Sequence, residues 1–230
     1  MRKRLAIVIL GLLVIGQLVS SIDLNAGLTH YWKLDGNTSD EICADSGLVT
    51  GLIDWVGGVK GTAARLLPDS FITVHASDFP IGAAERTISV AARLKNEHLP
   101  EIVFSHGDTT VEGGALAIVQ TKDGLGVSFG DKTVWAGEHT CEGWVHIVVV
   151  IPAGSVYTSS ALLYLNGHKV ECSYVSGREQ LLNTSYGANA YIGTNERTKD
   201  FFENAIDELR VYDRALTDGE ILSLYEQYKG

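Results

Sequence analysis

No helical period appears in the body of this 230-residue chain before Thr217. In its place come short runs rich in β-branched and aromatic residues, at 30–34, 71–74, 87–94, 102–105, 116–120, 126–129, 144–151, 162–165, 191–192 and 206–211. Turn residues part them, among them Asp35-Gly36-Asn37, Lys122-Asp123-Gly124 and Asn166-Gly167, the last a strong two-residue hairpin signal. With 25 Gly against 4 Pro, the connections read as tight turns rather than as a disordered linker. A chain of this length and pattern is expected to form one all-β domain, an antiparallel sandwich.

The closing stretch breaks the pattern. Ile206, Leu209 and Val211 alternate with polar neighbours as a last strand, and adjacent Asp207 and Glu208 are expected on opposite faces. Thr217-Asp218-Gly219-Glu220 then forms a capping box, which opens a short helix over residues 218–228. Ile221, Leu222, Leu224 and Tyr225 supply its apolar stripe, and the helix is expected to pack as a lid on the end of the sandwich.

The other terminus is an address. Arg2, Lys3 and Arg4 precede an apolar run from Leu5 to Val19, closed by Ser20 and Ser21. Residues 1–26 read as a hydrophobic leader helix, either a secretory signal cleaved after Ser21 or Ala26, or a retained membrane anchor at residues 5–22. Both place the domain, residues 27–230, outside the cytoplasm. The charge is acidic, 18 Lys and Arg against 28 Asp and Glu, which repels phosphate backbones and excludes nucleic acid as a partner. Membrane contact is expected only through the leader.

An oxidising compartment gives the cysteines meaning. The hairpin register that sets Ile151 opposite Leu162 also sets Cys141 opposite Cys172, and a cross-strand disulfide is expected there. Cys43 is left over, as a free or partly buried thiol open to intermolecular pairing.

Several segments then line up in order: His30-Tyr31-Trp32-Lys33-Leu34-Asp35-Gly36, Thr87-Ile88-Ser89-Val90 and Gly143-Trp144-Val145-His146-Ile147. They continue with Leu163-Tyr164-Leu165-Asn166-Gly167, Tyr191-Ile192-Gly193 and Ile206-Asp207-Glu208-Leu209-Arg210-Val211-Tyr212-Asp213-Arg214-Ala215-Leu216. In these the chain resembles the laminin-G-like, concanavalin A-like jelly rolls of secreted microbial proteins. The resemblance implies that the first and last strands are neighbours. It also implies a structural calcium near the chain ends, held by Asp35 and Asp207 with loop carbonyls and water, since Ca²⁺ takes six to eight oxygens. The other reading has Asp35 capping a turn and Asp207 pairing with a nearby Arg or Lys. The fold itself hosts lectins, adhesins and enzymes alike.

Enzyme signatures fail. Glycosidases on this fold need paired carboxylates on one strand face, and no such alternation is present. Gly126-Val127-Ser128-Phe129-Gly130 matches G-x-S-x-G but lacks the strand-to-helix elbow that the motif needs. His146 is expected as a packed, hydrogen-bonded core histidine, and the histidines at 30, 75, 98, 106, 139 and 168 lack ligand spacing. Trp32 and Trp144 fall at core positions of the family, which leaves Trp55 and Trp135 as the ligand-stacking candidates and Tyr157 as a weaker third. Asn37 and Asn183 head glycosylation sequons. The functional expectation is a non-catalytic extracellular module that binds a glycan or a cell-surface protein. A membrane- or filament-anchored structural subunit is the alternative, and a glycan-cleaving enzyme comes last.

Overall fold

The computed structural model describes residues 22–95, 99–130, 134–137, 142–187, 189–195, 197–198 and 200–229. Its strands in chain order are β1 (Leu28–Trp32), β2 (Leu48–Thr50), β3 (Ile53–Gly57), β4 (Thr62–Leu66), β5 (Phe71–His75), β6 (Arg86–Leu94), β7 (Glu101–Gly107) and β8 (Ala115–Thr121). They continue with β9 (Gly124–Ser128), β10 (Val134–Gly137), β11 (Gly143–Ile151), β12 (Leu162–Leu165), β13 (His168–Val170), β14 (Ser173–Ser176), β15 (Asn189–Ile192) and β16 (Ala205–Tyr212), and helix α1 (Asp218–Glu226) ends the chain. One sheet runs β13-β12-β11-β6-β16-β4-β3 with β1 also on β16, and the second runs β14-β10-β9-β8-β7-β15-β5-β2. All strand pairs are antiparallel, and the expected sandwich is the observed one.

Alternation explains the core. Ile72 and Val74 of β5, Ile88, Val90 and Ala92 of β6, Val145, Ile147 and Val149 of β11, and Ile206, Leu209 and Val211 of β16 all enter one cluster between the sheets. The two-residue turns do what their residues predict. Asn166 and Gly167 both have positive φ, 51° and 79°, and reverse β12 into β13.

Three expectations need correction. First, β11 pairs with β12 one residue away from the expected register, Val150 opposite Leu162. The chain also turns back at Asn166-Gly167 into β13, so Cys172 is not carried along β11, and the register argument for a Cys141–Cys172 bond fails. Cys141 lies outside the described residues, and Cys172 is a free thiol that donates to the Val170 carbonyl at 3.6 Å. Second, α1 does not cap the sandwich end. Leu216, Ile221 and Leu224 pack with Val148, Val150, Tyr164 and Tyr212 on the outer face of the first sheet, while Leu222 stays exposed. The capping box is present, with Glu220 N–H donating to Thr217 Oγ1 at 3.3 Å and Thr217 N–H to Glu220 Oε2 at 2.8 Å.

Third, β16 is bulged between Asp207 and Arg210, and Glu208 has φ +54°. Ile206 and Leu209 both point into the core, so the two residues between them share the outer side rather than splitting across the sheet. The bulge is also a junction. Before it β16 pairs with β4, at Ala205 and Ile206; after it β16 pairs with β1, from Leu209 to Tyr212. The chain therefore closes on its own beginning, and the gap between β4 and β1 lies beside Asp207.

Candidate functional site

The seam at that gap is built by two carboxylates gripping one hairpin loop. Asp207 Oδ2 accepts from the backbone N–H of Val59 at 2.9 Å and of Lys60 at 3.2 Å. Asp35, just after Leu34 at φ +59°, accepts from Thr62 N–H through Oδ1 at 2.7 Å. The loop approaches so closely that only glycine fits. A Cβ on Gly58 would stand 2.3 Å from Asp207 Oδ2, and one on Gly61 2.2 Å from Asp35 Oδ1. Asp207 is fully buried and its Oδ1 has no hydrogen-bond partner among the described residues. Burial, helped by the Glu208 and Asp35 charges, pushes its carboxyl up to about 7. A buried carboxylate oxygen left without a donor beside a second carboxylate is an environment that a hard, oxygen-seeking cation suits. Neither carboxylate has a Lys or Arg partner among the described ion pairs, so the salt-bridge reading of Asp207 is not what the fold uses.

Glu208, on the same side, is held differently. Its carboxylate accepts from Tyr31 Oη at 2.7–2.8 Å and pairs with Arg210. The Arg210 guanidinium lies 4.1 Å from the Tyr31 ring centroid and also donates to Tyr228 Oη. Both members of this pair are buried. Asp207 and Glu208 are thus neighbours on one face, and both side chains are fully buried.

A groove of about 400 Å³ lies on the outer face of the second sheet. Alternation places it there: with Ile72 and Ile192 in the core, Phe71 and Thr73 of β5 and Asn189 and Tyr191 of β15 face outward. Tyr191 sits opposite Thr73, and Thr50 of β2 opposite Phe71. The segment after β15 arches over the same face and adds Phe201, whose ring stacks on Phe71 with centroids 6.3 Å apart, while Tyr191 meets Phe71 edge-on at 6.2 Å. Asn195 holds this arch. Its side-chain oxygen accepts from Arg197 N–H at 2.9 Å, Thr198 N–H at 2.7 Å and Thr198 Oγ1 at 3.0 Å. The result is three half-buried aromatic rings bordered by hydroxyl, amide and guanidinium groups. Such a surface offers flat apolar faces beside directional donors and acceptors.

The sequence candidates fall elsewhere. Trp55 is 38% exposed on β3, at the edge of the other sheet. Trp135 lies on β10, toward the far edge of the second sheet, and its side chain lies outside the described residues. Tyr157 borders a separate rim hollow with Arg178, Glu112 and Leu181. The structure does not bring these together. Asn37 and Asn183 are exposed. His146 is buried with its Nε2 2.8 Å from Ser89 Oγ, as expected of a packed histidine. Ser128 ends β9, and among the described residues the next element is strand β10 and no helix. Phe71, Tyr191 and Phe201 are the residues that sequence reasoning passes over. The first two stand in recognised strands, and strand parity around Ile72 and Ile192 is the signal that turns them outward.

Comparison with solved structures gives several likenesses. One is domain 4 of AbnA, a GH43 extracellular arabinanase from Geobacillus stearothermophilus, in complex with arabinotriose: TM-score 0.63, 21% identity, covering 87% of this chain and 98% of that one. Another is the binding domain of botulinum neurotoxin DC in complex with rat synaptotagmin II, with TM-score 0.65, 13% identity, and 90% and 52% of the two chains covered. A third is the binding domain of Paraclostridial Mosquitocidal Protein 1, with TM-score 0.57, 13% identity, and 90% and 53% covered. The chain spans about half the length of these toxin domains, and at such identities the likeness is one of fold. Comparison with curated proteins gives no match. Residues 69–222 match the family model of the Concanavalin A-like lectin/glucanases superfamily, and the chain belongs to that family.

Proposed function

We propose that this chain is a non-catalytic extracellular recognition module and that it binds a glycan through the groove on the outer face of its second sheet. The observation that carries the reading is the set Phe71, Tyr191 and Phe201, three aromatic rings turned away from the core beside Thr50, Thr73, Asn189 and Arg197. Support comes from the fold relatives, one of them an arabinanase domain in complex with arabinotriose. The absence of chemistry is supported by Asp207 and Glu208, both fully buried and engaged with loop amides or with Arg210. No helix among the described residues is long and apolar enough to cross a membrane, and export through the leader at residues 1–26 remains part of this reading.

A glycan array with arabinotriose among its ligands tests it. Binding should appear and fall at least tenfold in Tyr191→Ala, while Trp55→Ala stays unchanged. Blank spots throughout, or loss in Trp55→Ala alone, would sink the groove.

A second element of the reading is structural calcium at the seam, with Asp35 and Asp207 as its carboxylate ligands and a role in stability rather than binding. The unpartnered Oδ1 of Asp207 is what favours it. Millimolar calcium should raise the melting temperature of the chain and leave Asp207→Asn unmoved. An equal rise in both removes the site.

A further inference from the structure

A second cluster of metal-binding side chains lies well away from both the groove and the seam. A cleft of about 170 Å³ opens beside β1 and β5, and His30, Asp40, Cys43 and Asp78 line it. Donor atoms of His30, Asp40 and Cys43 all lie within 4.8 Å of one another. Their spacing in the sequence conceals this, because the turn after Trp32 folds residues 40–43 back against β1, and Asp78 arrives from the segment after β5. The histidines lack ligand spacing in the sequence, and it is the fold that brings Asp40 and Cys43 to His30.

The cluster is built rather than incidental. His30 is buried, its ring stacked against Trp32 with an interplanar angle of 2° and set 4.7 Å from Phe79, which fixes its orientation. Asp40 is equally fixed. Its Oδ1 accepts from the backbone N–H of Tyr31 at 3.0 Å, Ile42 at 2.8 Å and Cys43 at 3.4 Å, and its Oδ2 lies 2.6 Å from His30 Nδ1. The other ring nitrogen meets a second carboxylate, and a carboxylate behind one imidazole nitrogen with an ion at the other is the arrangement found in metal-bound histidines. That other nitrogen, Nε2, faces Asp78 Oδ1 at 3.2 Å. Asp45 adds a further carboxylate at the cleft, and no Lys or Arg lines it.

We infer that this cleft is a binding site for a divalent transition ion of the zinc class, held by Cys43, His30 Nδ1 and the Asp40 carboxylate, with Asp78 behind Nε2. A mixed sulfur, nitrogen and oxygen set favours zinc or cobalt over calcium or magnesium, which take oxygen alone. On binding, the Cys43 thiol releases its proton to solvent and the thiolate takes the ion in place of its present contact with the Thr29 carbonyl at 3.4 Å. The ion would tie the loop at residues 40–43 and the segment at Asp78 to β1.

Cobalt(II) titration of the reduced protein tests this, because cobalt–thiolate coordination gives a charge-transfer absorption that oxygen ligands do not. One equivalent should produce the band. Cys43→Ser should abolish it and weaken cobalt affinity at least tenfold, while Cys172→Ser keeps both and Asp207→Asn keeps the band. Cys43 and the Asp78 side chain are exposed, so Cys43→Ser and Asp78→Asn are expected to fold. Zinc should compete cobalt out and slow alkylation of Cys43. No bound cobalt, or a band that survives Cys43→Ser, overturns the inference and leaves a hydrogen-bonded acid–histidine network.

Discussion

Replacing Glu208 by Gln should unfold this protein more readily than any single surface change, and the reason lies in the bulge of β16. Glu208 and Arg210 are 0% and 5% exposed and face each other across two residues of one strand. The amide keeps the shape of the carboxylate but strips Arg210 of its only buried counter-charge among the described residues, leaving Tyr31 and Tyr228 as neutral partners. Breaking a buried pair from one side costs about 3–5 kcal/mol, and in a domain of this size each kcal/mol lowers the melting temperature by about 2–4 °C. The expected loss is therefore on the order of 10 °C, read by thermal or urea unfolding. The double variant Glu208→Gln/Arg210→Met removes the stranded charge and should regain a large part of it. A loss under about 1 kcal/mol in the single variant would show that the pair is not desolvated as described, and the account of the bulge would fail.

Other outcomes follow from the same structure. Burial, with repulsion from Arg210, holds His146 down to about 3, and burial with repulsion from Arg86 holds His106 to about 4. The folded state then binds fewer protons than the unfolded one below the ordinary histidine value. Asp207, its carboxyl raised to about 7, takes up a proton in the folded state over the same range and offsets one histidine, so stability should fall as pH drops from about 6.5 toward about 4 by about 1.4 kcal/mol per pH unit net. Urea unfolding at about pH 7, 6 and 5 reads the slope, and a flat profile contradicts it. Gly61→Ala, at φ +66° with its Cβ 2.2 Å from Asp35 Oδ1, should cost about 2 kcal/mol or more, whereas Gly57→Ala meets nothing within 4 Å and should be near neutral. Intact mass of the exported protein should show loss of the leader at Ser21 or Ala26, and full-length mass would favour the anchored alternative.

The fold is largely written in alternation. The runs at 87–94, 144–151 and 162–165 become β6, β11 and β12 nearly residue for residue, because they are dense in β-branched and apolar residues, and β6 and β11 are buried along almost their whole length. β2, β3 and β4 escape that reading. They are three to five residues long, and β2 and β3 carry mostly exposed or half-buried positions, so little apolar signal marks them. The register of β11 on β12 is not legible either, because a ten-residue connection with its own helical turn joins them and no tight turn fixes the pairing. The seam is legible as Asp35 and Asp207, since both stand in motif-bearing segments. The groove is not, because it depends on which side of two strands faces outward and on where the segment after β15 falls. Trp55 and Trp135 stand out through residue type alone. The side chains that border the groove are ordinary strand residues whose parity decides their role.

The most direct test of that groove is a map of backbone amide shifts as an array-selected glycan is titrated into labelled protein. Shifts confined to β5, β15, Thr50 and residues 194–201 are the predicted result. Shifts centred on Trp55, or on Tyr157 and Leu181 at the rim, would contradict it.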